Sequence, residues 1–108
     1  MTLSQLSWRE FERRRDGMAH ALSGGLWLHR FLLDGQPWAH LVSSNRDALL
    51  RAGTVLGMRP EWLQYKPLKR LDTRERVDAW HWDLRGQRLE TAVRLAAPPV
   101  PRCSPLRR

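Results

Sequence analysis

A chain of 108 residues, 42% hydrophobic and 28% charged, can fill one small core but not two. Its one cysteine, Cys103, excludes an intrachain disulfide and a cysteine-built metal cluster, and no apolar run nears the ~18 residues a membrane helix needs. The net charge of +8 is diffuse, with three of the eight charges in residues 101–108, so it predicts weak attraction to polyanions rather than a built recognition surface.

Residues 4–22, SQLSWREFERRRDGMAHAL, are predicted as a helix, because Leu6, Trp8, Phe11, Met18, Ala19 and Leu22 recur at roughly helical spacing. Charge enters this segment before any apolar run, which does not fit a signal peptide, and a cytoplasmic protein without membrane contact is expected. Ser7 with Glu10 three residues on resembles a capping box, and Gly17 weakens the middle by about 1 kcal/mol. LWLHRFLL at 26–33 reads as a strand, DGQP at 34–37 as a turn with Gly35 at positive φ, and WAHLV at 38–42 as the return strand of a β-hairpin.

A second helix is expected over SSNRDALLRAGTVLG, where Ser44 and Asp47 suggest the cap and Gly57 the C-terminus. Pro60 opens a third, short helix in RPEWLQ. YKPLKRLDTRER is then a long loop, VDAWHWDL an alternating strand, and RGQRLETAVRLAA a last helix. PPVPRCSPLRR carries four prolines in eleven residues and reads as a flexible tail. The expected fold is an α+β domain over residues 1–97, a β-hairpin plus a further strand packed with three to four helices, followed by a Pro/Arg-rich tail at 98–108.

Three motifs, in order, carry a resemblance. His40-Leu41, then Leu56-Gly57 with Trp62-Leu63-Gln64, then His81-Trp82-Asp83 followed by Arg88 and Ala92 resemble a family of small bacterial and phage-encoded proteins known as a domain of unknown function. The resemblance spans about residues 37–95. The chain departs from it at Ser44, where the family has Asp, at Leu50, where it has His, and at FLLDG, where it has an acidic pair. The resemblance implies no activity.

The residues themselves point to one polar constellation. His81 and Asp83 are two apart on a strand and share a face, leaving Trp80, Trp82 and Leu84 for the core. With His40 on the hairpin they form a candidate catalytic set, because an imidazole held by a carboxylate is a usable general base. The same three groups can instead satisfy one another as plain structure. No cofactor is expected, and no metal, because a further ligand is not evident.

Trp62, Gln64, Lys66, Lys69, Arg70 and Arg88 are candidate binding residues: a base or a partner can stack on Trp62, and the lysines and arginines can meet phosphates. Two functions are carried forward. One is a small basic binding protein, phage- or mobile-element-borne, contacting a host protein or nucleic acid weakly and electrostatically. The other is a small hydrolase or nucleotide-processing enzyme using His40, His81 and Asp83.

Overall fold

The computed structural model describes residues 6–100. Among them it forms strands β1 (Trp8–Phe11), β2 (Leu26–Leu33), β3 (Gln36–Ser43), β4 (Gln64–Tyr65), β5 (Leu68–Lys69), β6 (Arg76–Val77), β7 (Trp80–Arg85) and β8 (Ala97–Val100), and helices α1 (Arg14–Leu22), α2 (Arg46–Leu56) and α3 (Gly86–Leu95). The main sheet runs β4-β7-β3-β2-β1-β8, and β5 pairs with β6 separately. This is an α+β domain, and none of the described helices is long and apolar enough to cross a membrane.

The hairpin sets the register of the site. Asp34 and Gly35 both take positive φ, 52° and 77°, the backbone of a tight two-residue turn whose twist suits paired strands. With that turn fixed, His29 falls opposite His40 and Trp27 opposite Val42. Strand β7 joins the other side of β3 antiparallel, placing Asp83 opposite His40 and His81 opposite Val42. Cross-strand partners project to the same face, so these residues form two adjoining rows.

The opposite face holds the main core. Leu26, Leu28, Ala39, Leu41, Trp82 and Leu84 pack there against Ala48, Leu49, Ala52 and Leu56 of α2 and Leu89 and Ala92 of α3. Trp82 is fully buried, and its indole N–H donates to the Leu49 carbonyl at 2.7 Å. On the site face, α1 covers only one side, through Ala21, Trp27 and Val42 with Met18, and Leu68 of β5 packs beside them. The rest of that face is left for the polar rows.

Several expectations are corrected. Trp8–Phe11 is a strand, not the first half of a helix: it pairs parallel with β2, and the Trp8 indole N–H donates to the buried Ala92 carbonyl at 2.8 Å. That non-local pairing outweighs the helical spacing of the segment, and α1 begins at Arg14. The cap of α2 is Asn45, whose side chain accepts from the Ala48 N–H at 3.0 Å, while the Ser44 hydroxyl donates to the Leu22 carbonyl at 3.2 Å. The third helix is a single 3-10 turn at Pro60–Trp62. The segment read as a long loop holds β5 and one residue each of β4 and β6, and is tied back by the Lys66 N–H donating to the Ala79 carbonyl at 2.8 Å. Pro98 to Val100, assigned to the tail, belong to β8, which pairs parallel with β1. The remainder of the tail, including Cys103, lies outside the described residues, as does the start of the segment read as the first helix.

Candidate functional site

The polar rows floor a pocket of about 590 Å³ on the open face of the sheet. His40 from β3 and His81 and Asp83 from β7 stand at its base. Their Nε2 atoms lie 3.1 Å and 3.2 Å from the same carboxylate oxygen, Asp83 Oδ1, and the two imidazole rings are 4.4 Å apart. The other carboxylate oxygen, Oδ2, accepts from the Gln64 side-chain amide at 2.6 Å. Gln64 reaches it because β4 adds to the free edge of β7, with Gln64 opposite His81.

Oδ1 is different. It is buried, and although both ring nitrogens are close, no donor among the described residues is aligned on it as a hydrogen bond. The His81 and His40 nitrogens reach this oxygen at hydrogen-bond distance but in bent geometry, so the acceptor is met only weakly.

The walls are apolar and aromatic. Trp27, His29, Phe31 and His40 succeed one another across the face, with Trp27 and His29 stacked at 4.8 Å and Phe31 tilted over His40 at 4.7 Å. Met18 and Leu68 close two sides, and Arg14 and Lys66 add positive charge to the lining.

Five of the nine expected site residues therefore meet in one pocket: His40, His81, Asp83, Gln64 and Lys66. The other four do not line it. Trp62 lies under the guanidinium of Arg88 at 5.2 Å, and Arg88 also donates to the Gly57 carbonyl at 3.2 Å, so these two serve each other at the 3-10 turn. Lys69 and Arg70 are exposed on the β5–β6 hairpin. Arg14, Trp27, His29 and Phe31 went unassigned. For the last three the signal was the alternation of LWLHRFLL, which sets them on one face; their partners differ from the expected ones because the turn is Asp34-Gly35 alone, and Gln36 and Pro37, read as part of the turn, belong to β3.

Burial pulls the pKa of all four histidines below the ordinary 6.5. Arg9 adds to this at His20 and Arg14 at His29. At His40 the neighbouring His81 and then Lys66 act the same way, and at His81 Lys66 does, with Asp83 pulling both back upward. The folded chain therefore resists protonation that the unfolded chain accepts. The stability linked to these groups is present above about pH 6.5 and is lost as pH falls through the lowered folded values. Thermal melting at about pH 7.5 and about pH 5.5 should show a lower Tm at the acid value. An unchanged or higher Tm would contradict the neutral-histidine assignment.

No protein-family model, curated protein or solved structure matches the chain.

Proposed function

We propose that the pocket is the active site of a small hydrolase acting on a phosphate ester of nucleotide size. One observation carries this reading: two imidazoles and a carboxylate converge at the base of a pocket that also has an aromatic wall and two cations. Each part has a task in that chemistry. Arg14 and Lys66 attract the anionic group, and the Trp27–Phe31 wall accepts a planar base. A neutral imidazole facing the cluster, His81 or His40, takes a proton from water as its oxygen attacks phosphorus. The ester P–O bond breaks, the leaving oxygen takes a proton from solvent to depart as the alcohol, and the imidazolium returns its proton to solvent. Asp83, oriented by Gln64, stabilises the imidazolium formed in between.

The test is hydrolysis of a panel of nucleotides and simple phosphate esters by the full chain and by Asp83→Asn and His81→Gln. Loss of the His81 imidazole, or of the Asp83 carboxylate that stabilises its imidazolium, should lower the rate by about 10²–10⁴-fold, with the fold retained. Hydrolysis equal to wild type in both variants, or none on any ester, would reject the reading.

A second reading has its own observation. The β5–β6 hairpin presents Lys69, Arg70, Arg74 and Arg76 exposed, a surface suited to weak, salt-dependent contact with a nucleic acid or an acidic partner. Charge reversal at Lys69 and Arg70 would weaken polyanion binding in that case and leave ester hydrolysis unaffected.

A further inference from the structure

The expectation from the sequence was that no metal is held, for want of enough ligands. We infer instead that His40 Nε2, His81 Nε2 and Asp83 Oδ1 bind one divalent first-row transition ion, with the remaining coordination positions open to the pocket. The inference rests on the hydrolase reading and revises one role in it: with both Nε2 atoms and Asp83 Oδ1 on the ion, the ion in place of a free imidazole activates the water.

Geometry comes first. One ligand atom from each of the three residues lies within 4.8 Å of the other two. In a tetrahedral site with ligand bonds of about 2.0–2.1 Å, neighbouring ligand atoms are about 3.3 Å apart. The two nitrogen–oxygen separations, 3.1 Å and 3.2 Å, are close to that edge. His40 is a third exposed at its side chain, so a small turn of its ring is free to bring its nitrogen closer to that of His81.

The alignment of groups is the second observation. In a histidine–carboxylate hydrogen bond the ring N–H is directed at the oxygen. Here Oδ1 is buried with two ring nitrogens 3.1 Å and 3.2 Å away, the His81 contact within hydrogen-bond reach but neither N–H well directed at the oxygen. A cation between the three atoms satisfies that oxygen and both nitrogen lone pairs together. Gln64 then acts from outside the ligand set. By donating to Oδ2 it fixes the carboxylate so that Oδ1 faces the histidines, the kind of supporting contact that holds metal ligands in place.

Two nitrogens and one oxygen select the ion. Calcium and magnesium prefer sets made wholly of oxygen, while imidazole with carboxylate suits zinc, cobalt, nickel or iron. Three protein ligands with an open position are the pattern of a catalytic rather than a structural site, and a bound ion lowers the pKa of its water toward neutrality. The open side faces the pocket lined by Lys66 and Arg14, where an anionic substrate would approach.

The experiment uses the full chain, freed of metal by chelator and titrated with Zn²⁺ by calorimetry and with Co²⁺ by visible absorption. One ion per chain is expected, with cobalt d–d bands of a nitrogen–oxygen site. Asp83→Asn, which keeps the shape of the side chain, and His81→Gln should abolish both signals while their circular dichroism stays that of wild type. Gln64→Ala should weaken binding by about 10–100-fold, as for supporting contacts to metal ligands generally. His20→Ala should bind as wild type, because that ring packs on Phe11 away from the cluster. Absence of stoichiometric binding, or binding that survives Asp83→Asn and His81→Gln, overturns the inference.

The same proteins separate the two claims. Ester hydrolysis that persists in chelator and is lost in Asp83→Asn would remove the metal and leave the hydrolase reading. Stoichiometric metal binding with no hydrolysis of any ester, with or without the ion, would do the reverse.

Discussion

Trp82→Ala should leave the domain largely unfolded. The indole is fully buried at the centre of the main core, between the sheet and α2 and α3. It lies over Gly53 of α2, close enough that no side chain fits between them. Its N–H is also committed to the Leu49 carbonyl. Emptying such a site removes apolar burial and leaves a cavity that backbone on both sides prevents from collapsing, a cost of about 3–5 kcal/mol. A small domain has only about 5–15 kcal/mol in total. By contrast, His81→Ala removes a group on the other face of the same strand and should cost about 1 kcal/mol. Thermal and urea melting of the two variants beside wild type checks the pair. If His81→Ala is as damaging as Trp82→Ala, the cluster is a structural element of the fold, and the functional assignment of its face falls.

That contrast was legible in the alternation of DAWHWDL, because a strand with one covered face must send every second side chain to the helices. The hairpin was legible for a similar local reason: its turn chemistry sits in two consecutive residues. Those two elements allowed His40 to meet His81 and Asp83, but the pairing of β7 with β3 that brings them together is visible only in the fold. What remained hidden depends on partners distant in sequence. Strand β1 has four residues whose spacing also fits a helix, and only β2 and β8 on either side decide the matter. Strand β8 reads as a tail because of Pro98 and Pro99, yet it lies at the sheet edge, where a missing backbone donor is tolerated. Strands β4, β5 and β6 have two residues each, too few to show any period. This is why Gln64 could be named as a candidate but not as the residue that orients Asp83.

Gly17 is the position where the sequence-based expectation and the structure differ in sign. Helix propensity says that Gly17→Ala should stabilise α1 by about 1 kcal/mol. In the fold, an added Cβ would lie 2.1 Å from both Cε2 and Nε1 of Trp27. Those are ring atoms of an indole that is 3% exposed, held between α1 and the sheet, so the ring cannot simply swing away. Overpacking of this kind costs about 1–3 kcal/mol and outweighs the propensity gain. Gly53→Ala meets Trp82 Cζ2 at 2.4 Å and should be destabilising for the same reason. The two variants differ in what else they disturb. Gly53 acts on the core face alone, whereas Trp27 lines the pocket and stacks on His29. Gly17→Ala should therefore lower Tm and also weaken ligand binding in the pocket, while Gly53→Ala lowers Tm with binding retained in the fraction that stays folded. Melting curves and binding of a nucleotide, compared in the two proteins, decide it. A rise in Tm for Gly17→Ala would mean that α1 does not rest on Trp27, and with it would go the wall that this contact gives the pocket.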